Sequence, residues 1–415
     1  MARLVIAGGG FAGFWAAAGA ARVRRDTPSL ASLEILLVSR DDQLVIRPRL
    51  YEPDPSAMAV ALVPRLEAID VRFEQGEISS IDVASAEVRL TTSSITTGVS
   101  YDRLVLATGS QLARPEGAPA AYGFDIDTLA GASALDRHLH GLVAQPEAHQ
   151  GTAGRWTVVI AGGGFTGIEL ATALPERLRE IAGGKIRVIV VDPADRIGAS
   201  LGDGPQSAID DALAAAGIET RTGVTIASAD SAGVVLSSGE RIVCQTLVWT
   251  TGMRASPLGG KISTRTDGLG RIEVTPELRV VGIDHVFAAG DVAHAAADGG
   301  HSALQSCQHA QVTGRFAGYN AAADLAGLPP QAYRQPLYTT CLDLGESGAV
   351  LTKGWDRTVE ARGEHAKAIK RRINTQLIYP PADRDAILAV ATPAVMTEEM
   401  FTSRVLGVNS EMSRV

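Results

Sequence analysis

Two glycine-rich segments of the chain have the residue types and the spacing to hold a phosphate group. Residues 5–13 and residues 159–167 agree at eight of nine positions, and each contains the pattern Gly-x-Gly-x-x-Gly. The glycines are Gly8, Gly10 and Gly13 in the first segment and Gly162, Gly164 and Gly167 in the second. In such a pattern the first glycine allows a tight turn, the second lets the backbone approach a diphosphate, and the third lets a helix pack on a strand. The chemistry indicated is therefore the binding of a dinucleotide, at two places.

The residues around both segments predict the strand, turn and helix that position such a site. Apolar runs at residues 4–6 and 157–160 precede the segments, and helix-compatible stretches follow at residues 14–24 and 168–181. A single glycine pattern is often only a turn, but two near-identical copies in this context favour two dinucleotide sites.

The strand after the second glycine segment indicates which dinucleotide it binds. Residues 186–191 form a buried-strand pattern that ends at Asp192, about where a carboxylate meets a ribose 2′-hydroxyl. This favours NADH, because the carboxylate would repel the 2′-phosphate of NADPH. Arg196 lies close by and keeps NADPH open as an alternative, and a turn role before Pro193 is the alternative for Asp192.

Three more predicted strands end at small or polar residues. Residues 101–106 lead into Ala107, Thr108 and Gly109, residues 246–250 lead into Thr251 and Gly252, and residues 286–289 lead into Gly290 and Asp291. A helix is predicted to follow from about Ser302. In the first unit, Ser39 or Arg40 stands where the second unit has its acid, which leaves the ribose contact of that unit undefined.

Composition excludes several other classes of protein. The chain has 415 residues, a net charge of −8 and 46% apolar residues, which predicts a globular protein of two or three domains. The acidic balance argues against nucleic acid as a partner, and no apolar run reaches the ~18 residues of a membrane span. We interpret the apolar start of the chain as a first β-strand in a cytoplasmic protein. Three cysteines without a closely spaced pair predict neither a dithiol nor a metal site.

The order of these elements resembles the two-dinucleotide-binding-domain flavoproteins, the pyridine nucleotide-disulfide oxidoreductase superfamily, over about residues 1–330. The resemblance implies an α/β fold with two Rossmann-like domains, for FAD and NAD, and a small α+β C-terminal domain. The implied FAD domain is discontinuous, at residues 1–115 and 266–330, and the NAD(P)H domain spans residues 116–265. Residues 331–415 are predicted to form the C-terminal domain, as a dimer, membrane or acceptor interface.

The same resemblance implies the residues that hold each cofactor. FAD, bound non-covalently, is expected at Gly8, Gly10, Phe11, Ala12, Gly13, Ser39, Arg40, Arg47, Ala107, Thr108, Gly109, Gly290 and Asp291. NADH is expected at Gly162, Gly164, Phe165, Thr166, Gly167, Asp192, Thr251 and Gly252. Hydride would pass from the nicotinamide C4 to the flavin N5, and the helix predicted near Ser302 would face the flavin N1–C2=O locus.

Within the superfamily, the cysteines narrow the choice. Cys244, Cys307 and Cys341 are isolated, which excludes the disulfide reductases and leaves Cys341 without a partner for sulfide:quinone chemistry. The chain resembles the type II NADH dehydrogenases, which are single-subunit NADH:quinone reductases. Glu169 matches the glutamate that this family places near the nicotinamide and flavin for proton transfer to quinone, and the dipole of its helix should keep it ionised. A capping role is the alternative for Glu169.

A second match to type II NADH dehydrogenases is partial. Residues 307–312 fall where that family has an Ala-Gln-x-Ala-x-Gln quinone motif, and Gln308 fits it, whereas Val312 replaces the second glutamine. Gln311 lies one position early, and a shift of one residue turns a helical side chain by about 100°. Gln308, with Gln305 and His309 nearby, is predicted to hydrogen-bond a quinone or another carbonyl acceptor. For His309 we favour a structural role.

The C-terminal residues predict a small antiparallel sheet at about residues 337–351, a basic helix at 366–374 and an apolar stripe in the tail. The basic residues are Lys367, Lys370, Arg371 and Arg372, and the stripe is Phe401, Val405, Val408 and Met412. Peripheral contact with the inner face of the cytoplasmic membrane, a homodimer contact and a solvated basic face stay open.

The predicted activity is that of an FAD-dependent NADH:quinone oxidoreductase. Three rival hypotheses remain: a reductase of ferredoxin, a reductase of a small aromatic metabolite, and a redox-sensing NADH-binding protein that resembles apoptosis-inducing factor.

Overall fold

The computed structural model describes residues 1–92, 95–114, 122–144 and 154–407. Up to residue 112 the chain forms β1 (Arg3–Ala7), α1 (Phe11–Asp26), β2 (Glu34–Ser39), β3 (Gln43–Val45), β4 (Ala59–Ala61), α2 (Val63–Ala68), β5 (Arg72–Gln75), β6 (Glu77–Asp82), β7 (Glu87–Thr92), β8 (Ile95–Ser100), β9 (Arg103–Leu106) and β10 (Ser110–Leu112). There follow β11 (Phe124–Asp125), α3 (Leu129–Gly141), β12 (Thr157–Ala161), α4 (Phe165–Ala182), β13 (Arg187–Asp192), α5 (Gln206–Ala215), β14 (Glu219–Thr222), β15 (Ile226–Asp230), β16 (Gly233–Leu236), β17 (Arg241–Val243), β18 (Thr246–Trp249) and β19 (Met253–Ala255).

The remaining elements return the chain to its first part and then form the C-terminal region. They are α6 (Leu258–Ile262), β20 (Ile272–Glu273), β21 (Val286–Ala288), β22 (Ala293–His294), α7 (Cys307–Leu325), β23 (Thr339–Asp343), β24 (Ala349–Lys353), β25 (Thr358–Arg362), α8 (Gly363–Arg372), α9 (Arg384–Val390) and α10 (Glu398–Met400). The helix predicted from about Ser302 begins five residues later, because Ser302 pairs with Ala296 in a β-bridge and Ser306 caps α7.

The first large sheet has five parallel strands in the order β21-β9-β1-β2-β5. The chain moves from β1 to one side through β2 and β5, and to the other side through β9 and β21. A ligand crevice is expected where this direction reverses, at the carboxyl ends of β1 and β9. Val5 and Ile6 are fully buried, because helices and strands cover both faces of the sheet.

A second sheet repeats this plan, with parallel strands in the order β11-β18-β12-β13-β14. Its crevice lies at the carboxyl ends of β12 and β18. The predicted α/β fold with two Rossmann-like sheets is therefore confirmed. The predicted domain boundary at residues 115 and 116 lies outside the described residues, and the division into domains stays a prediction.

Helices α1 and α7 pack so closely that glycines are required between them. A Cβ atom on Gly318 would lie 2.0 Å from the carbonyl oxygen of Ala16, and one on Gly314 would lie 2.4 Å from that of Ala12. Both obstacles are helix backbone, which cannot move aside alone. The close contact holds the helix after the first glycine turn against α7, which follows the last strand of the first sheet.

We expect Gly318→Ala to destabilise the protein by about 1–3 kcal/mol, because the added methyl group forces α1 and α7 apart. The thermal midpoint of unfolding should fall accordingly. Gly141→Ala is the matched control, since nothing lies within 4 Å of a Cβ atom there and alanine suits a helix better than glycine. Equal midpoints for the two variants would contradict the close contact.

The C-terminal region confirms the predicted small antiparallel sheet, with strand order β23-β24-β25. Helix α8 packs on it and continues into a π-helical turn, Ile373–Leu377. Phe401 and Val405 of the predicted apolar stripe are buried against this sheet and α8, whereas Val408 and Met412 lie outside the described residues. Among the described helices, none combines the length and the hydropathy needed to cross a bilayer. Membrane and dimer contacts stay predictions.

Candidate active site

One cavity of about 2390 Å³ is lined by both glycine turns. The predicted site residues that line it include Gly8, Gly10, Phe11, Ala12, Ser39, Arg40, Arg47, Ala107, Thr108, Gly109, Gly162, Gly164, Phe165, Thr166, Glu169, Asp192, Thr251, Gly252, Asp291 and Gln308. Gly13, Gly167 and Gly290 are not part of the lining and lie behind it. The structure therefore brings together two sites that are far apart in sequence.

The first glycine turn has the geometry of a phosphate cradle. Gly8 has a φ of +119°, and a Cβ atom there would lie 2.3 Å from the carbonyl oxygen of Ala107. A Cβ atom on Gly13 would lie 1.8 Å from the carbonyl oxygen of Gly8. At Gly10, by contrast, nothing lies within 4 Å of a Cβ position, and no side chain caps α1. The turn thus leaves an open approach to the helix N-terminus, which suits a diphosphate.

The second glycine turn repeats these features. Gly162 has a φ of +111°, and its Cβ position lies 2.4 Å from the carbonyl oxygen of Thr250. On Gly167 a Cβ atom would lie 1.9 Å from the carbonyl oxygen of Gly162. Gly164 is again open, with Ser200 Oγ as its nearest neighbour at 3.9 Å. The two turns therefore offer the same room for a diphosphate.

Asp192 at the end of β13 lies beside the second turn and is already engaged there. Its Oδ2 accepts a hydrogen bond from the backbone N–H of Gly163 at 2.6 Å, and its Oδ1 accepts one from that of Ala194 at 2.8 Å. The turn role that was the alternative for Asp192 is thus present, and its ribose contact stays a prediction. Ser39 lies beside the first turn in the same way, since its Oγ would be 2.6 Å from a Cβ atom on Gly9. The exposed side chain of Arg40 pairs with Asp41 instead.

Charged groups close the other side of the first crevice. Asp291 Oδ2 accepts a hydrogen bond from Ser110 Oγ at 2.7 Å and lies 3.6 Å from Arg47 Nη1. Arg47 also pairs with Asp127. Burial raises the pKa of Asp291, while the hydroxyl of Ser110 and the guanidinium of Arg47 limit the rise. This cluster fixes the position of Arg47 at the cavity wall.

Two buried polar atoms of the cavity wall lack a hydrogen-bond partner among the described residues. They are Thr108 Oγ1 and Gln308 Oε1. Gln308 is held by its other end, because its Nε2 donates to Thr339 Oγ1 at 3.1 Å. Buried polar atoms are normally paired, so both are available to a bound group. Together with the open glycine turns, they fit a flavin dinucleotide.

Glu169 forms a buried ion pair that was not predicted. Its Oε1 lies 2.7 Å from Nζ of Lys370 on α8 and accepts a hydrogen bond from the backbone N–H of Asp343 at 3.0 Å. Glu169 is 3% exposed and Lys370 is 5% exposed, and both line the cavity. The aromatic rings of Tyr51 and Phe165 lie 5.8 and 5.6 Å from the ammonium. The C-terminal region thus completes this part of the site.

The expectation that the helix dipole keeps Glu169 ionised is wrong. Glu169 lies in the second turn of α4, where the dipole has little effect. Burial raises the pKa of Glu169 to about 7, although the ammonium of Lys370 opposes that rise. Burial also disfavours charge on Lys370, but Glu169 outweighs it and raises the pKa of Lys370. The carboxyl group of Glu169 therefore keeps its proton to a higher pH than an ordinary glutamate.

The basic cluster on α8 is not one solvated face. Lys370 is buried in the site, and Lys367 pairs with Asp343 at 2.5 Å. Arg371 is exposed and pairs with Glu364. The lysines face inward because Ala366, Ile369 and Lys370 share the buried side of the helix. Sequence reasoning missed Lys370 as a site residue, although its helical spacing from Ala366 and Ile369 was a usable signal.

The polar residues of α7 divide between the cavity and the interior. Gln308 and Gln311 line the cavity together with Gln305, which precedes α7, so the early position of Gln311 does not remove it from the site. His309 points elsewhere: it is 1% exposed, its Nδ1 lies 3.0 Å from Ser306 Oγ, and Tyr338 and Trp355 surround its ring. Burial lowers the pKa of His309 to about 4.

All three cysteines are free. Cys307 and Cys341 line the cavity, and burial raises their pKa values to about 11 and about 12. Both thiols therefore stay protonated near neutral pH, which makes them poor nucleophiles.

Two Rossmann-like sheets that present matching phosphate turns to one cavity define a two-dinucleotide oxidoreductase. Residues 2–314 match the pyridine nucleotide-disulphide oxidoreductase family, and the chain belongs to this family. The resemblance stated from the sequence is confirmed.

Relatives within the family extend beyond the matched region. An NADH dehydrogenase-like protein of Mycobacterium tuberculosis is 44% identical over 95% of this chain and 99% of its own length. A demethylphylloquinone reductase of Synechocystis is 30% identical over 84% of this chain and 86% of its own length. The solved structure of NDH2 from Plasmodium falciparum in complex with NADH has a TM-score of 0.75 and covers 98% of this chain and 99% of that chain. At 11% identity, the likeness to NDH2 shows the fold alone.

Proposed function

We propose that this protein is an FAD-dependent oxidoreductase that takes electrons from NADH and passes them to a quinone. The observation that carries the proposal is the single cavity that joins both glycine turns to Gln308 and to the Glu169–Lys370 pair. When bound, FAD supplies the redox chemistry, by taking a hydride from NADH and giving two electrons to the acceptor.

The two glycine turns hold the two dinucleotides. The turn at Gly10 opens onto the crevice with Thr108 and Asp291, which suits FAD, and the turn at Gly164 opens beside Asp192, which suits NADH. Because both turns belong to rigid strand–helix units, the two ligands meet in a fixed orientation. Such orientation is the main contribution that a protein makes to hydride transfer.

The cavity lining near Gln308 and in the C-terminal region supports a quinone as acceptor. We call these residues the acceptor arm: Gln308 and Gln311 on α7, with the apolar side chains of Ile373, Leu377, Met396 and Val405. Amide groups together with apolar side chains suit a flat ring that carries carbonyl oxygens. The name of the Synechocystis relative, a demethylphylloquinone reductase, also supports a quinone.

Glu169 is the proton donor in this proposal. Reduction of a quinone to a quinol requires two electrons and two protons. The hydride from NADH accounts for both electrons and one proton, and a group with a pKa near the working pH supplies the other proton most efficiently. The carboxyl group of Glu169, with a pKa of about 7, meets that condition. The ammonium of Lys370 stabilises the carboxylate that remains after the transfer.

The test is anaerobic reduction of the purified flavoprotein with NADH, followed by reoxidation with a quinone. We expect NADH to bleach the visible flavin absorbance. Menadione should restore it at a rate of the same order of magnitude as the rate of bleaching. Reoxidation by ferredoxin alone would favour the ferredoxin hypothesis. Slow bleaching with a long-lived charge-transfer band would favour a redox sensor, and absence of a bound flavin would refute the proposal.

A further inference from the structure

A half-buried cation, Arg315, lies on the same helix as the glutamines of the acceptor arm, and the described residues give it no carboxylate partner. Arg315 lies on α7 at the helical spacing i, i+3, i+7 from Gln308 and Gln311, so the three side chains follow one face of the helix. All three line the cavity. The guanidinium lies over the ring of Trp15, with 5.5 Å between its carbon and the ring centroid.

Arg315 makes hydrogen bonds only to neutral groups. Its Nε donates to the carbonyl oxygen of Gln311 at 3.2 Å, and its Nη1 donates to that of Val390 at 3.0 Å. Within the described ranges, no carboxylate lies at ion-pair distance from Arg315. Burial lowers the pKa of Arg315 to about 10, and the nearby Arg404 contributes to that shift. Arg315 still carries its charge at neutral pH, and a partly buried charge without a charged partner is unfavourable.

Capping of α9 does not account for this arrangement. Arg22 performs the same task at the same helix end, since its Nη1 donates to the carbonyl oxygen of Leu388 at 2.7 Å. Unlike Arg315, Arg22 has a carboxylate 3.8 Å away, that of Asp26, and it is absent from the lining of the cavity. Arg315 is thus distinguished by a positive charge that lines the cavity and has no carboxylate partner in the part of the chain that the structure describes.

We infer that Arg315 binds an anionic group of the electron acceptor, so that the acceptor arm takes a quinone with an ionised substituent. The inference rests on the proposed function and specifies its substrate class. A guanidinium offers several donors in one plane and pairs with a carboxylate, a sulfonate or an ionised hydroxyl by charge-assisted hydrogen bonds. The apolar residues of the acceptor arm hold the uncharged ring, and the anion supplies the counter-charge that Arg315 lacks.

The experiment compares two acceptors with one ring system, 1,4-naphthoquinone and 1,4-naphthoquinone-2-sulfonate, in the flavin-loaded protein. For each variant we measure the ratio of kcat/KM for the sulfonate to kcat/KM for the neutral quinone. We expect Arg315→Gln to lower this ratio about 10- to 100-fold relative to the unaltered protein, the size of one lost hydrogen bond to a charged group. Arg315→Lys keeps the charge but not the planar group, and should retain part of the ratio. Because each ratio is compared between variants, the different potentials of the two quinones cancel.

Arg22→Gln is the matched control, because it removes an α9 cap without touching the cavity, and its ratio should equal that of the unaltered protein. An unchanged ratio in Arg315→Gln would overturn the inference, and so would an equal loss with both quinones, which indicates a structural role. If Arg315→Gln fails to fold, the test is the ratio of the two kcat/KM values in Arg315→Lys. A ratio that does not decrease relative to the unaltered protein would overturn the inference. Failure of both quinones to reoxidise a flavin that NADH has reduced would instead refute the proposed function.

Discussion

Gly164→Val should strongly weaken reduction of the flavin by NADH while leaving FAD bound. The Cβ position of Gly164 faces open space, with its nearest neighbour 3.9 Å away, so the substitution should not disturb the fold. The branched side chain would instead occupy the approach of the diphosphate to the N-terminus of α4. We expect the apparent KM for NADH in stopped-flow reduction of the flavin to rise at least about 100-fold, a loss of roughly 3 kcal/mol of binding.

The reciprocal variant makes this result specific. Gly10→Val places the same side chain in the first turn, where nothing lies within 4 Å of the Cβ position, and should cause loss of FAD during purification. Gly268→Val, at an exposed position with equally open surroundings, is the control for valine itself. Normal NADH kinetics in Gly164→Val, or loss of FAD from that variant, would refute the assignment of the two turns.

Glu169→Gln should separate the two halves of the reaction. The amide keeps the shape of the side chain but cannot donate a carboxyl proton, so turnover with quinone should fall about 100-fold or more, the usual range for loss of a general acid. Reduction of the flavin by NADH, followed in a single turnover, should change much less. Equal losses in both half-reactions would show that Glu169 positions the cofactors instead.

The pH dependence gives a second measure of the same group. Glu169 donates a proton only while protonated, so the rate of quinone reduction should decrease as the pH rises through about 7. Lys370→Met removes the cation that opposes the effect of burial, so the pKa of Glu169 should rise and the decrease should move to higher pH. Arg371→Met, on the exposed side of the same helix, should leave the profile in place. A profile that is unaltered by Lys370→Met would contradict the coupling of the pair.

The sequence was sufficient to predict the two nucleotide turns because each depends on local backbone geometry. Gly8 and Gly162 need positive φ values, and Gly13 and Gly167 touch backbone within their own turns. Such constraints act over a few residues, and they leave a pattern that is visible in one chain. The antiparallel C-terminal sheet was predictable for a similar reason, since neighbouring strands follow each other in sequence.

The ion pair was not predictable in the same way, because it joins distant elements. Glu169 lies on α4 and Lys370 lies on α8, and the sequence around either residue does not indicate that the other is its partner. Helical spacing from Ile369 places Lys370 on a buried face, but not beside a particular carboxylate. The ionisation of Glu169 was predicted wrongly for the same reason, because its pKa depends on burial by the C-terminal region, about 200 residues further along the chain.

The discontinuity of the first sheet also bears on the order in which a growing chain can fold. The strands of the second sheet all lie between residues 124 and 249, so this sheet can close as soon as they have emerged from the ribosome. The first sheet must wait for β21, and its helix α1 stays uncovered until α7 is synthesised. Because exposed apolar helices and unpaired strand edges favour aggregation, the N-terminal strand–helix unit is the part of the nascent chain most in need of a chaperone.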